Sequence, residues 1–350
     1  MDIEKEKKDA VIAIQDEESE AVRMRLKKKN DFKSLRIKRL LGLPDLSRKQ
    51  GSPLKFFIDA ILAIPRFRDF EILQVPEIVS VKRNFDLLNT PADHPSRRET
   101  DTYYLEDGWV LRTHTTVMWS YHVELEAVRK KLETKGEAGA LSYGKVYRKD
   151  EIDRSHYPAF HQIDGWYVSR KDKKIIGVKE LQEVLVDIAV QLYGPHVKYK
   201  FAEDTFPFTH PSIEMAIESN GSWVEILGAG VVHTKVLEKL GIDPAVYNGW
   251  AFGFGLERLA MAKMKVSDIR VFWSDDARIT GQFKDLKSVY KEVSKYPMTY
   301  RDVSFVVSKN LSLNNFYEMV RESAGDIVEE VKLLDTYENK EKFGADKISY

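Results

Sequence analysis

The chain has 350 residues, 43% of them hydrophobic, and its 55 basic and 55 acidic residues leave a net charge of zero. This length predicts two or three domains. The balanced charge excludes a global field that recruits nucleic acid, so any such contact must come from a local patch. The absence of cysteine excludes disulfides, thiolate chemistry and cysteine-ligated zinc. No apolar run is long enough to cross a bilayer, so no membrane partner is predicted.

The first 50 residues are predicted to form a charged helical extension, with helix over residues 1–42. Its first twenty residues are acidic, which is untypical of organelle transit peptides and signal peptides. From Arg23 to Arg39 the charge is strongly basic. A basic helix of this kind either contacts RNA phosphates or presents a solvated face, and the sequence leaves both interpretations open.

Residues 110–116 alternate in the manner of a strand, which predicts that Arg112, His114 and Thr116 share one face. A helix is predicted over residues 117–132, and another over residues 178–192 from its apolar spacing. These segments supply candidate polar groups and a core-facing helix.

Residues 144–166 are predicted to form two strands around a polar loop. Side chains two apart in a strand share a face, so Arg148 and Asp150 project from one strand and Gln162 and Asp164 from the other. A cation, carboxylates and an amide would then converge on one surface. The alternative is a charged hairpin with one solvated face.

Two features stand out in the strands that follow. Pro207 biases Phe206 towards an extended conformation, so the rings of Phe206 and Phe208 are predicted to point the same way. Such a pair either flanks a flat apolar ligand or belongs to the core. Glu225 lies in the middle of an apolar strand, which indicates a cation or metal partner.

Gly253 and Gly255 interrupt a strand pattern that passes into a helix at Leu256. Glycine there would let a planar group lie against the backbone. Arg258 falls in the first helical turn, where it can stack on a base or meet a phosphate. The segment is not a P-loop, because no Gly-Lys-Ser or Gly-Lys-Thr follows the glycines.

The C-terminal segment is predicted to be a separate unit, with strands over 302–307 and 328–334 and a helix over 314–324. This order fits half of a split sandwich of the ferredoxin type. The sequence stops at Tyr350, apparently inside the next strand. We therefore expect an apparently truncated domain on which the active site does not depend.

Together these stretches resemble the motifs of a class II aminoacyl-tRNA synthetase, specifically the single-chain, mitochondrial-type phenylalanyl-tRNA synthetases. Each stretch alone is a weak signal, and their order makes the resemblance strong. The matching stretches are NFDLLNTPADHPSR (motif 1), GKVYRKDEIDRSHYPAFHQ (motif 2), FPFTHPS, AFGFGLERLAM (motif 3), DIRVFW and, for the anticodon-binding domain, KYPMTYRDVSFVV.

The resemblance implies an α+β fold, with a class II antiparallel sheet flanked by helices over residues 51–290. A partial ferredoxin-like anticodon-binding domain is implied over 295–350. The implied reaction is ATP-dependent activation of L-phenylalanine to phenylalanyl-adenylate, followed by transfer to the terminal adenosine of tRNA(Phe). ATP and Mg²⁺ are the implied cofactors. An anticodon-binding domain on the same chain implies a monomer.

The resemblance also implies residue roles. Arg148 and Arg258 match the catalytic arginines that meet the phosphates, and Glu225 matches the magnesium position. The positions that match the phenylalanine site are His114, Thr116, Gln162, Asp164, Phe206, Phe208 and Ala251. The positions assigned to the ATP site are Arg148, Asp150, His156, Phe160, Gly253, Gly255 and Arg258.

Some observations leave alternatives. Asp164 stands where the family usually has the longer glutamate, which weakens the implied amine contact or routes it through water. One alternative is a related class II synthetase of different specificity, such as the phosphoserine or pyrrolysine enzyme; another is a non-catalytic tRNA-binding paralogue. Phe206 and Phe208 disfavour phosphoserine, and the presence of both Arg148 and Arg258 disfavours the paralogue. The acidic N-terminus favours a cytoplasmic location over the mitochondrial matrix.

Overall fold

The computed structural model describes residues 11–106, 108–219, 221–293 and 299–350. The first ten residues of the predicted N-terminal helix and the predicted domain boundary at residue 295 lie outside this part of the chain. None of the helices in the described ranges is both long and apolar enough to span a bilayer.

An eight-stranded, mainly antiparallel sheet forms the centre of the molecule. Its spatial order is β1 (Val11–Ala13), β2 (Glu71–Gln74), β5 (Glu137–Tyr147), β6 (Ala159–Arg170), β10 (Tyr247–Gly255), β9 (Ser222–Val232), β8 (Thr209–Ser219) and β7 (Tyr199–Phe206). The β1–β2 and β2–β5 pairs are parallel, and the other pairs are antiparallel. Strands β3 (Ile78–Ser80) and β4 (Trp109–Leu111) form a separate antiparallel pair.

Helices cover both faces of this sheet. They are α1 (Glu17–Lys28), α2 (Phe32–Gly42), α3 (Pro53–Leu62), α4 (Met118–Glu124), α5 (Glu126–Lys135), α6 (Val178–Tyr193), α7 (Thr234–Lys239), α8 (Leu256–Met264), α9 (Ala277–Thr280), α10 (Leu313–Ala324) and α11 (Lys340–Phe343). Helices α3, α6 and α8 share one core with Ile163 and Phe252, while α4, α5 and α7 share the other with Trp166 and Ala251. Alternate side chains of β6 and β10 thus point to opposite faces of the sheet and pack into two different cores.

The N-terminal extension differs from the single helix that was predicted. It begins with β1 and continues as two helices that break before Asp31. Each helix has an aspartate cap: Asp16 accepts a hydrogen bond from the Ser19 amide and Asp31 from the Ser34 amide, both at 3.0 Å. Side-chain caps satisfy amides that a helix start leaves unpaired, so these aspartates define two separate starts.

The prediction that residues 110–116 form one strand is wrong. Strand β4 ends at Leu111, and a 3-10 helix begins at Thr115. Arg112 is therefore not on a face with His114. Its Nε donates to the Lys145 carbonyl at 2.7 Å and its Nη1 to the Val75 carbonyl at 2.8 Å. The predicted helix over 117–132 is likewise two helices, α4 and α5.

The C-terminal unit keeps the predicted helix, which is α10, but not both predicted strands. Strand β11 covers only Val306–Ser308 and pairs antiparallel with β12 (Lys347–Ser349). The predicted strand over 328–334 is irregular. One of its amides, that of Val331, donates to the Ile152 carbonyl at 2.9 Å, so this segment bonds to the central domain instead of a sheet neighbour.

Candidate active site

A cavity of about 500 Å³ lies where β6, β10, the β7–β8 turn and the segment after β4 meet. Ten of the fifteen predicted site residues line it: His114, Thr116, Arg148, Asp150, Gln162, Asp164, Phe206, Phe208, Ala251 and Gly253. The sheet register explains part of this convergence, because Gly253 lies opposite Asp164 and Ala251 opposite Trp166. The structure therefore brings polar and aromatic groups into one cavity.

Asp164 is the buried carboxylate of the cavity. It accepts hydrogen bonds from the hydroxyls of Thr116, at 2.6 Å, and Thr115. Burial raises the pKa of Asp164 to about 6, against the opposing effect of these hydroxyls and of the charge on Arg148. Near neutral pH the group is therefore a carboxylate held in an apolar environment, which favours a cationic partner.

Two further polar atoms of the cavity are buried without a hydrogen-bond partner in the described structure: Nδ1 of His114 and Oε1 of Gln162. Burial also lowers the pKa of His114 to about 3, so its imidazole is neutral at physiological pH. A buried polar atom without a partner costs about 1–3 kcal/mol, which indicates that a ligand satisfies these atoms.

Arg148 supplies the cationic group. Its Nε donates to the Thr113 carbonyl at 3.1 Å, and its guanidinium lies 5.2 Å from the centre of the Phe160 ring. Burial lowers the pKa of Arg148, yet an arginine side chain stays charged in proteins. Phe160 thus supports the guanidinium and does not line the cavity.

The aromatic wall of the cavity comes from the β7–β8 turn. The rings of Phe206 and Phe208 are nearly parallel, at 5° and with 5.8 Å between their centres, which confirms that they point the same way. This separation leaves no gap for a third ring, so a flat ligand packs against the pair and not between its members. Trp119 meets Phe208 edge-on at 5.9 Å and stacks on Trp166 at 5.4 Å.

Sequence reasoning missed Thr115, which binds Asp164, and part of the cavity lining, including Trp119. Thr115 sits between the two predicted ligands and was passed over because its neighbour alone fitted the alternating pattern. Trp119 falls within the helix predicted over residues 117–132, for which no ligand contact was predicted. It lines the cavity, and its Nε1 is buried without a hydrogen-bond partner among the described residues.

Gly253 has a different role from the one predicted. A Cβ at this position would lie 2.7 Å from Oδ1 of Asp164. The glycine therefore makes room for that carboxylate. Gly255, by contrast, faces open space, and neither it nor His156 lines the cavity. His156 is exposed and its Nδ1 contacts Asp153 at 2.8 Å.

Arg258 and Glu225 lie beyond the cavity wall, where they form an ion pair at 3.6 Å with both side chains about half exposed. Glu214 is next to this pair, and its pKa is raised by burial and by the charges of Glu225 and Asp204. Within the described ranges, no group of three or more potential ligands is arranged for a metal ion. In the described structure the cationic partner of Glu225 is thus Arg258.

Comparison with known families gives a consistent result. The family model "tRNA synthetases class II core domain (F)" matches residues 41–283, and that of the ferredoxin-fold anticodon binding domain matches residues 294–350. The chain thus belongs to the class II tRNA synthetases, in the group whose core-domain model carries the letter F. The similar proteins described next carry the phenylalanine specificity in their names.

The chain is 43% identical over 287 residues to the chloroplastic/mitochondrial phenylalanine–tRNA ligase of Arabidopsis thaliana, with 79% of this chain and 63% of that protein covered. It is 38% identical to the mitochondrial enzyme of Mus musculus, covering 76% of this chain and 64% of the relative. The Saccharomyces cerevisiae mitochondrial enzyme is 33% identical, with 74% and 71% covered. The match thus spans less than two thirds of the plant and mouse relatives.

Proposed function

We propose that the chain is a phenylalanine–tRNA ligase, which activates L-phenylalanine with ATP and transfers it to the terminal adenosine of tRNA(Phe). The observation that carries this proposal is the division of the cavity. One end is the aromatic wall of Phe206 and Phe208, and the other holds the Asp164 carboxylate with the unpartnered atoms of His114 and Gln162. An amino acid with a flat apolar side chain satisfies both ends.

In this proposal Asp164 binds the substrate ammonium, because it is a buried anion above pH 6. His114 and Gln162 bind polar atoms of the substrate backbone. Arg148 lies on the same cavity wall as Asp150 and bridges the substrate carboxylate and the α-phosphate of ATP. Holding these groups together turns a reaction of two molecules into one within a single complex.

Adenylate formation then needs no protein nucleophile. A carboxylate oxygen of phenylalanine attacks the α-phosphorus, the bond to the β-phosphate oxygen breaks, and pyrophosphate leaves with the electron pair. Arg148 stabilises the charge that develops on the α-phosphate. Arg258, which is more exposed and pairs with Glu225, would contact the outer phosphates. Glu225 and Glu214 would hold Mg²⁺, which supplies charge neutralisation when bound.

The second step transfers the acyl group. The 2′-hydroxyl of the terminal adenosine attacks the carbonyl carbon of the adenylate, and AMP leaves. The matched anticodon-binding family over residues 294–350 supports tRNA as the partner. We infer a monomer, and the organellar names of the relatives favour mitochondria over the cytoplasm that the acidic N-terminus suggested.

The test is ATP–pyrophosphate exchange with the full chain and each of the twenty amino acids in turn, followed by aminoacylation of tRNA(Phe). Exchange with phenylalanine alone supports the proposal. Exchange with a different amino acid identifies another class II specificity. Binding of tRNA without exchange for any amino acid identifies a non-catalytic paralogue, and either of these results overturns the proposal.

A further inference from the structure

The C-terminal domain holds the backbone of the loop that leaves β5. Four consecutive carbonyls of this loop accept hydrogen bonds from the domain. Asn314 donates to Lys149 at 3.1 Å, and Arg321 donates to both Asp150 and Glu151. The Val331 amide donates to the fourth carbonyl, that of Ile152, at 2.9 Å. The structure therefore connects this domain to the loop, which gives a physical reason to test the expectation that the active site does not depend on it.

Arg321 is itself oriented by a buried carboxylate. Its Nη1 donates to Oε1 of Glu318 at 2.6 Å, and its Nη2 reaches the carbonyls of Asp150 at 2.5 Å and Glu151 at 2.6 Å. One planar guanidinium therefore joins helix α10 to two loop carbonyls, a geometry that the single ammonium of lysine cannot reproduce.

Glu318 is only 1% exposed, and groups from two other segments bind it. The Tyr103 hydroxyl donates to Oε1 at 2.8 Å, and Arg36 of helix α2 lies 3.3 Å from Oε2. A buried carboxylate with several donors is fixed in position, because leaving any of these charges unpaired is costly. The direction of Arg321 is therefore set by three parts of the chain.

The loop that Arg321 holds leads directly into the cavity. Asp150 lines the cavity together with Arg148, and the Arg148 amide donates to the Pro158 carbonyl across the loop base. The residues at the amine end of the cavity, by contrast, stand on β6 and on the segment after β4. A change in the loop is therefore expected to reach the ATP side of the site first.

We infer that Arg321 is a positioning residue for adenylate formation, acting through the 149–152 backbone on the placement of Arg148 and Asp150. This inference rests on the proposed function. It makes the anticodon-binding domain a structural part of the amino-acid activation site. Displacements of about 1 Å at such a site reduce rates by as much as about 100-fold, so the contact is large enough to matter.

The experiment compares Arg321→Ala with wild type in ATP–pyrophosphate exchange, with ATP and phenylalanine varied separately. We expect the KM for ATP to rise at least about tenfold, while the KM for phenylalanine and the melting temperature change little. Arg321→Lys keeps the positive charge but loses the planar guanidinium. Its KM for ATP is expected to lie between those of wild type and Arg321→Ala, and it replaces the alanine variant if that variant does not fold. Arg301→Ala is the matched control, because Arg301 is an exposed arginine of the same domain whose side chain donates to the Tyr300 carbonyl.

A second measurement does not depend on activity. Hydrogen exchange of peptides covering residues 149–157 is expected to speed up in Arg321→Ala and to stay unchanged in Arg301→Ala. A folded Arg321→Ala with an ATP KM within twofold of wild type overturns the inference, and so does an equal rise of both KM values together with a lower melting temperature. If wild type shows no exchange reaction with any amino acid, the proposed function fails. In that case faster hydrogen exchange in the variant would still show that Arg321 holds the backbone of residues 149–152, but without a role in adenylate formation, and unchanged hydrogen exchange would overturn the structural contact as well.

Discussion

Two opposing effects set the pKa of Asp164: burial raises it, and hydrogen bonds from Thr115 and Thr116 lower it. Its pKa of about 6 means that the carboxyl is neutral in more acidic solution and charged in more alkaline solution. Since only the charged form pairs with an ammonium group, kcat/KM for phenylalanine should rise with pH through about 6 and then level off. The pH profile of pyrophosphate exchange measures this, because kcat/KM reports groups of the free enzyme.

A single hydroxyl provides the check on this assignment. The Thr115 hydroxyl lowers the pKa of Asp164, so Thr115→Val should move the acid limb to higher pH. Thr134→Val, on the exposed surface of α5, should leave the profile unchanged. An acid limb that stays in place in Thr115→Val shows that another group titrates.

The two arginines form the second prediction at the scale of residues. Arg148→Ala and Arg258→Ala should each abolish adenylate formation in a folded protein, since the loss of one donor to developing phosphate charge costs about 3 kcal/mol or more. Pyrophosphate exchange is the assay, and Arg278→Ala, which removes a largely exposed arginine paired with Asp276, is the control. Near-normal exchange in either variant contradicts its assignment.

For single residues, the sequence predicted the site correctly where polar side chains alternate along one strand. Spacing placed Gln162 and Asp164 together, and the structure puts both in the cavity. It could not find Thr115, since adjacent residues share a site only where the backbone leaves the strand for a 3-10 helix. It could not identify Trp119 either, because a ligand wall and a core face have the same apolar spacing.

Among the elements, β6 depends on close packing at Gly165. A Cβ there would lie 2.4 Å from Phe252 and 2.8 Å from Leu141, its partners on the neighbouring strands. Gly165→Ala should lower the free energy of unfolding by about 1–3 kcal/mol, the usual effect of overpacking. Denaturant titration measures this loss. Gly42→Ala, where a Cβ meets nothing, is the control and should not destabilise the protein.

The long elements were predictable and the short ones were not. Helix α6 agrees with its predicted bounds to within one residue, and β10 passes into a helix at Leu256 as predicted, because each element buries a whole face. The N-terminal helix was expected to be continuous, but α1 ends with its C-cap at Lys29, and the side chain of Asp31 caps the start of α2. Apolar spacing alone does not register such a cap.

For the whole molecule, Glu318 is where the C-terminal domain meets the remainder of the chain. Glu318→Ala would remove the buried carboxylate that both Arg36 and Arg321 contact, and would leave Arg36 paired with Glu322. Removing one partner of a buried ion pair typically costs about 3–5 kcal/mol, and we expect a loss of that order in the free energy of unfolding. The exposed Glu330→Ala should change stability little, and equal stability of the two variants contradicts the assigned role of Glu318.

This contact lies outside what the sequence alone could provide. Tyr103 and Glu318 are 215 positions apart, and Asp150 and Arg321 are 171 apart. Sequence periodicity predicts which face of a helix or strand is apolar. Contacts between domains depend on the three-dimensional surfaces of the folded domains, which periodicity does not predict. The strand predicted over residues 328–334 was wrong for the same reason, because its backbone bonds to Ile152 and not to a sheet of its own domain.

The stack of Trp119 on Trp166 also makes the intrinsic tryptophan fluorescence of the protein a probe of the cavity. An indole in dry, apolar surroundings emits at shorter wavelength than one in water, and its emission is sensitive to whatever touches the ring. Trp119 borders the cavity, while Trp223 is 47% exposed. Titration with phenylalanine should therefore change the blue edge of the tryptophan emission, and that change should vanish in Trp119→Phe while the solvent-exposed signal persists.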